Sequence, residues 1–224
     1  INNKAEEEVR EIDINGKKKE KVTAYEYLGS VISEDGKIDL DIANRINKSV
    51  KIYYALNKTV FGKREIDMKT KLRVYNAIVV PILTYASESW AIQDKHEGKI
   101  NAAEMKYLRK IAGKTKMDME RNESIRRILQ QEEITQKIEK KQLSWYGHIV
   151  RMDQNRLVKK IVETGTTGKR RKGRPRKSWI QRIDELARKK GKTRTEIKLL
   201  AMDRKGWRKW VIETEKLQSD TPRV

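Results

Sequence analysis

The sequence predicts a mainly α-helical chain: a short N-terminal β-hairpin, then a helical bundle, then a second small helical unit. Three observations carry this prediction. β-favouring residues alternate only within residues 9–32, around an Asn15-Gly16 turn. From Ile38 onward the apolar residues step by three and four. Helix-capping pairs recur, Ser178 with Gln181 and Thr193 with Glu196.

In order along the chain, Val9, Ile12 and Ile14 form one arm of the hairpin and Val22, Tyr25, Tyr27 and Val31 the other, with Asp35-Gly36 as a closing turn. Ile38, Ile42, Ile46, Val50, Tyr53 and Leu56 then place one apolar stripe on a helix over residues 39–58. Asp67 is an N-cap for a second helix, whose stripe of Leu72, Tyr75, Ile78 and Val79 ends where Pro81 removes a backbone donor. Residues 81–90, PILTYASESW, are apolar enough to be buried. A third helix over residues 94–112 presents Ile100, Ala103, Tyr107, Leu108 and Ile111 and stops at Gly113. Asn122 then caps a short helix carrying Ile125, Ile128 and Leu129, and a longer one bears Ile134, Ile138, Leu143, Trp145, Ile149 and Met152. Residues 164–177 read as a basic, glycine-rich linker. The Ser178 capping box opens a helix over Trp179, Ile180, Ile183, Leu186 and Ala187 that ends near Gly191. A last helix over residues 203–217 holds Trp207, Trp210 and Val211, and the residues after Gln218 read as frayed.

Composition bounds what such a chain can do. Hydrophobic residues make up 37% of the 224 residues and charged residues 38%, yet 5 Trp and 8 Tyr provide apolar surfaces that a disordered chain lacks. Separate modest cores are therefore expected rather than one deep core. The absence of cysteine removes disulfides and thiolate zinc sites and fits a reducing compartment. No apolar run approaches the ~18 residues that a membrane span needs. The chain opens on Ile1 without a signal-peptide pattern and reads as a piece of something longer.

Charge points to a polyanionic partner. Lys and Arg number 53 against 32 Asp and Glu, a formal net charge of +21. The excess is graded, from net negative over residues 1–36 to 20 basic and 7 acidic residues over residues 164–224. Residues 169–177, KRRKGRPRK, hold Lys169, Arg170, Arg171, Lys172, Arg174, Arg176 and Lys177 and no acid. Such a run repels itself, stays solvated, and gains affinity by releasing counterions from phosphates. It serves equally as a plain linker or a localisation signal.

Catalytic groups are sparse. With only His96 and His148 and no cysteine, a zinc site would need carboxylates for its other ligands, and no His-x-x-x-His spacing exists. There is no Walker loop and no Gly-x-Ser-x-Gly elbow. Two-metal nucleotidyl transfer needs converging carboxylates, and the chain has no Asp-Asp pair; Asp39 and Asp41 read as acids at the positive end of a helix dipole. His148 reads as a packed or hydrogen-bonding histidine. Trp179, Trp207 and Trp210 could stack on bases, but their helical spacing favours core packing. No catalytic residue and no metal ligand is therefore assigned.

Several of these residues fall into a known order. Tyr25-Glu26-Tyr27-Leu28-Gly29-Ser30 with Ile32 and Asp35-Gly36, then Asp41-Ile42, Arg45-Ile46, Val80-Pro81-Ile82-Leu83-Thr84-Tyr85, Glu88 and Trp90, resemble the reverse transcriptase of non-LTR (LINE-type) retrotransposons just after its catalytic palm. Leu143-Ser144-Trp145-Tyr146-Gly147-His148 with Arg151-Met152, Gly173-Arg174-Pro175 with Trp179, and Asp203-Arg204 with Trp207-Arg208 resemble the C-terminal part of endonuclease–reverse transcriptase polyproteins. The resemblance spans about residues 20 to 212.

That resemblance implies a non-catalytic segment of an RNA-directed DNA polymerase. Residues 1–36 would be a palm-edge hairpin with Tyr27, Leu28 and Gly29 in the primer-grip position, and residues 37–116 a thumb-like helical bundle. Residues 117–163 would be a helical connector, 164–177 the basic linker and 178–224 a C-terminal helical unit. The catalytic Asp-Asp motif and its magnesium would lie upstream, with the palm, fingers and endonuclease of the same polyprotein, so this chain itself calls for no cofactor. Cysteine-bearing zinc knuckles of some relatives are missing. The implied partners are RNA, RNA–DNA hybrid and DNA, with no membrane, in the nucleus and cytoplasm. Lys48, Lys51, Lys58, Lys63 and Arg64 are duplex contacts in this reading and an exposed helix face in a plainer one. A second class fits Lys172-Gly173-Arg174-Pro175: an AT-hook-like insert in a chromatin-type DNA-binding module, since arginine suits a narrow A·T minor groove.

Overall fold

The computed structural model describes residues 12–164 and 177–213 and is mainly helical, with its strands confined to the N-terminal end. The strands form two antiparallel hairpins where the sequence predicted one. β1 (Ile12–Ile14) pairs with β2 (Lys17–Lys19) across Asn15-Gly16, and β3 (Ala24–Tyr27) pairs with β4 (Ser30–Ser33). The second turn is Leu28-Gly29, with φ of 47° and 83°. A tight hairpin needs positive φ at both central residues, and glycine alone supplies that without cost. Leucine is so rare at such a position that the turn was hidden in the sequence.

Ten helices follow among the described residues. α1 (Asp39–Leu56) continues into a π-helical turn at Asn57–Phe61. α2 (Met68–Val74) is capped by Asp67, whose side chain accepts from the Thr70 N–H at 2.9 Å. The predicted stop at Pro81 is corrected: a π-helical turn at Tyr75–Val79 leads directly into α3 (Val80–Leu83), with Pro81 in its first turn. The run stays helical through the proline because the preceding turn is already widened: the Val80 N–H reaches back five residues to the Tyr75 carbonyl, so the ordinary four-residue ladder is interrupted before Pro81. The wide turn also shifts the phase, so Ile78, assigned to the buried stripe by a 3.6-residue period, is exposed.

A 3₁₀ turn at Ser87–Ser89 leads to α4 (Asp94–Ile111), which ends as expected before Gly113. α5 (Asn122–Leu129) begins at Asn122 rather than being capped by it; Arg121 holds the N-cap position and the Asn122 side chain accepts from Arg109 at 2.8 Å. Of its predicted stripe, Ile125 and Leu129 are buried and Ile128 is exposed. α6 (Ile134–Val150) is followed by α7 (Leu157–Thr164), a helix the sequence reading did not resolve. Both capping boxes form as predicted and open α8 (Trp179–Lys189) and α9 (Arg194–Met202). α10 (Arg204–Glu213) closes the described chain; the Asp203 carboxylate accepts from the Lys205 and Gly206 N–H groups at 2.9 Å each. No described helix is long and apolar enough to cross a membrane.

Two hydrophobic cores result. The first gathers Ile42, Phe61, Tyr75, Val79, Trp90, Ile100, Tyr107 and Leu108 from α1 to α4, with Ile125, Ile134 and Ile138. Tyr107 is ringed by Tyr53, Phe61 and Tyr75 at centroid distances of 5.1 to 5.9 Å. The second gathers Leu143, Tyr146, Val150, Ile183, Leu186, Ile197, Trp207 and Val211. α6 supplies both, with its first half in one core and its second half in the other. Trp207 lies directly on α6 at Gly147, its indole N–H donating to the Leu143 carbonyl at 3.1 Å.

The first core also holds a charged pair. Glu104 is fully buried; it accepts from Arg126 at 2.6 and 3.1 Å and from the Tyr75 hydroxyl at 3.2 Å. Burial raises the Glu104 carboxyl above the ordinary glutamate value, against the lowering pull of Arg126.

Two expected outcomes follow from this packing. A Cβ at residue 147 would collide with the Trp207 indole, so Gly147→Ala should destabilise despite the ~1 kcal/mol alanine gains in helix propensity. Thermal unfolding should register a Tm drop of about 2–4 °C per kcal/mol. Arg126→Ala strands the Glu104 carboxylate and should cost about 3–5 kcal/mol at neutral pH. Because the folded carboxyl holds its proton more tightly than the unfolded one, that deficit should shrink as pH falls through the raised folded value toward the ordinary 4.5. Urea unfolding at several pH values measures both signs.

Candidate nucleic-acid interface

The hairpin β3–β4 is positioned by one buried carboxylate. Asp41 is in the first turn of α1, where the sequence placed it as a dipole partner, but its role is larger. Its two oxygens accept from the Val31 N–H at 3.0 Å and the Trp90 indole N–H at 2.9 Å. Arg45, one turn on and equally buried, has its Nε 3.6 Å from Asp41 and donates through its terminal nitrogen to the Gly29 carbonyl. The Arg45 guanidinium also lies 4.3 Å from the centre of the Tyr85 ring, and the Tyr85 hydroxyl donates to the Leu28 carbonyl at 2.7 Å. Lys48 adds an exposed ion pair to Glu26 at 2.9 Å.

Tyr27, Leu28 and Gly29, the residues singled out for the primer-grip position, therefore sit at a tip clamped from beneath through its carbonyls. Cross-strand partners Tyr25 and Ile32 share a face with Tyr27. All three are exposed, and Leu28 at the tip is 74% exposed. The opposite face, carrying Val31 and Ser33, packs toward α1.

The described part of the chain has a cationic rim that the sequence reading assembled only in part. Lys51, Lys58, Lys63 and Arg64 are exposed, whereas Lys48 is held by Glu26. Lys110 on α4 reaches to Gly62, so the loop carrying Lys63 and Arg64 and the last turn of α4 lie side by side. A groove of about 780 Å³ continues from there, lined by Lys106, Lys110, Lys114, Lys116, Tyr53 and Met119 among others. Lys106 rests over the rings of Tyr53 and Tyr54, 4.4 Å from each centre. Arg109 shapes the groove rather than facing a ligand: it donates to the Glu120 carbonyl and to Asn122, both at 2.8 Å, and so folds the loop after α4 back on itself. Lys106, Lys110, Lys114 and Lys116 were missed because only the packing of α4 against α1 gathers them with Lys63 and Arg64. Their spacing along α4 and its following loop, in two four-residue steps and then one of two, was the available signal.

Of the basic run, Lys169, Arg170, Arg171, Lys172, Arg174 and Arg176 lie outside the described residues, as does the Gly173-Pro175 insert. Lys177 pairs with Glu185 on α8. Among the described residues no group of three His, Asp or Glu side chains could hold a metal ion. Asp39 pairs with Lys95 at 2.6 Å and lies 3.3 Å from the buried His96, and its carboxyl is held below the ordinary range chiefly by the Lys95 hydrogen bond. Trp207 is core, and Trp179 and Trp210 pack against the same cluster.

The fold and this surface define a helical chain with a cationic rim and an anchored hairpin. The chain is 26% identical over 195 residues to an uncharacterized transposon-derived protein of Caenorhabditis elegans, a match covering 83% of this chain and 69% of that protein. The similarity supports a transposon origin. No protein-family model matches, and no solved structure matches.

Removing Asp41 should release the hairpin. Asp41→Ala leaves Arg45 buried without its counter-charge and the Val31 and Trp90 N–H groups without an acceptor, at a cost of about 3–5 kcal/mol. Hydrogen exchange should show the Val31 amide losing protection more than amides of α8.

Proposed function

We propose that this chain is the nucleic-acid-holding C-terminal part of a retrotransposon reverse transcriptase, non-catalytic by itself. The observation that carries the reading is the cationic rim where the end of α1 and the loop after it meet the end of α4, in a chain whose formal charge is +21. The similarity to a transposon-derived protein supports it.

In this reading residues 37–116 act as a thumb-like unit. Lys110, Lys114, Lys116, Lys63 and Arg64 neutralise phosphates of an RNA–DNA or RNA template–primer and fix its register without reading sequence. Tyr27, Leu28 and Gly29 present the hairpin tip at the primer end, next to a palm, with its magnesium, supplied by the upstream polyprotein. Residues 169–177 tether element RNA or target DNA through phosphates, in the nucleus and the cytoplasm.

Titrations with single-stranded RNA, RNA–DNA hybrid and A·T-rich DNA duplex at two salt concentrations test the reading. RNA and hybrid should bind at least as tightly as the A·T-rich duplex, with log K falling linearly against log salt. Replacing Lys110 and Lys116 together by alanine should reduce the magnitude of that slope by about 2 on a duplex, with the Tm unchanged. Preference for A·T-rich DNA at both salt concentrations would sink the reading in favour of an AT-hook-like module.

A further inference from the structure

Four of the five tryptophans have a packing role: Trp90 is in the first core, and Trp179, Trp207 and Trp210 lie in or against the second. Trp145 belongs to neither. It is half-buried on α6, and among the described residues its indole N–H has no protein acceptor. Its ring centre is 5.3 Å from that of the exposed His148, with 34° between the ring planes. A half-buried indole beside an exposed imidazole, outside both cores, leaves part of an aromatic face at the helix surface.

Cations lie on the next turn of α6 and on α10, the helix packed against it. Arg151 follows His148 by one helical turn and donates to the Ala201 carbonyl, at the end of α9, at 2.5 Å. With α10 lying directly on α6 at Gly147, Arg204 at the start of α10 is near enough to Arg151 for their charges to repel. Burial first, and the Arg204 charge second, pull the Arg151 guanidinium below its ordinary range. Arg208 follows Arg204 on the same face of α10, and both are exposed. Neither has an acidic partner among the described residues. Like charges assembled without a counter-charge cost folding energy, and a polyanion returns it.

We propose that Trp145 and His148 form a stacking platform for an unpaired nucleobase of a single-stranded nucleic acid, with Arg151, Arg204 and Arg208 facing its phosphates. This rests on the nucleic-acid reading above and adds to it a site on α6 and α10 rather than on the α1–α4 rim, with a different requirement. Phosphate contact accepts any strand, whereas the platform needs a base whose face is free, which a continuous duplex does not offer. Every base has such a face, so the platform tolerates sequence and serves RNA and DNA alike. It also gives the segment from Trp145 to Arg151 a division of labour: Tyr146 packs, Gly147 admits α10, Trp145 and His148 face outward, and Arg151 holds α9.

Anisotropy titrations of the whole chain against a labelled oligo-U RNA, an oligo-dT strand, an abasic strand of equal length and a fully paired duplex test the proposal. Trp145→Ala should weaken both base-bearing single strands by about ten-fold, leaving the abasic strand and the duplex unchanged. Trp145→Phe should retain most of the binding, whereas Trp145→Leu, apolar but without a ring, should lose as much as the alanine variant and replaces it should that one lose its folded circular-dichroism signal. Equal affinity of Trp145→Ala and the unaltered chain for oligo-U and oligo-dT would overturn the platform, as would an equal loss on all four probes. An unaltered chain that binds no probe overturns the proposed function itself and the platform with it; one that binds duplex and abasic strand normally while indifferent to residue 145 overturns the platform alone.

Discussion

A buried carboxylate has to be met on every side, and the way Asp41 is met decides how the N-terminal half is assembled. One oxygen takes the backbone of β4, the other takes the Trp90 indole, and Arg45 closes the remaining side while reaching to the hairpin turn. Strand, helix and the turn around Trp90 are thereby fixed at one point. The constraint does not stop there. The Trp90 carbonyl accepts from Gln142 of α6 at 2.8 Å, and the Glu88 carbonyl accepts from the Trp179 indole at 2.7 Å, so the same turn is gripped from the second core.

The distribution of acids explains how a chain with 32 Asp and Glu still presents a positive exterior. Many of the acids are turned inward or occupied. Glu104 faces Arg126 in the first core, and Arg182, largely buried between the cores, is shared by Glu97 at 2.7 Å and Glu139 at 3.1 Å. Asp184 takes Arg194 at 2.7 Å, and Glu163 faces Lys198 at 3.4 Å. These acids neutralise lysines and arginines that the fold needs for itself, whereas among the described residues Lys63, Arg64 and Lys110 at the rim and Arg204 and Arg208 on α10 have no acidic partner. For the same reason the buried pairs are weak evidence of stability and better evidence of specific docking between elements.

Much of the architecture was legible because its signals are local. Capping boxes at Ser178 and Thr193, the Asp67 cap, the Asn15-Gly16 turn and the period of α1 and α4 each depend on residues within one or two turns. What was hidden depends on partners far along the chain. Leu28 is held in a left-handed turn by Tyr85, which donates to its own carbonyl, and by Arg45, which donates to that of Gly29, and no local pattern announces that. The π-helical turn before Pro81 uses residues indistinguishable in type from those of an ordinary helix, so Ile78 was assigned to the wrong face. The candidate interface divides likewise. Lys63 and Arg64 were visible as charges, but their union with Lys110 and Lys116 is a product of helix packing, and Asp41 passed for a dipole partner because its acceptor role is spread over residues 31 to 90.

α6 threads both cores without a break, and a helix advances about 100° with every residue. The bearing of the C-terminal helices relative to the hairpin is therefore written into the count of residues between Ile138 and Leu143. Inserting one residue there would leave each core its own side chains while swinging Gly147, and the helix that rests on it, about a quarter turn out of alignment. Sequence drift between these two residues is closed to changes of length, and at Gln142, which holds the Trp90 carbonyl, it is closed to exchange as well.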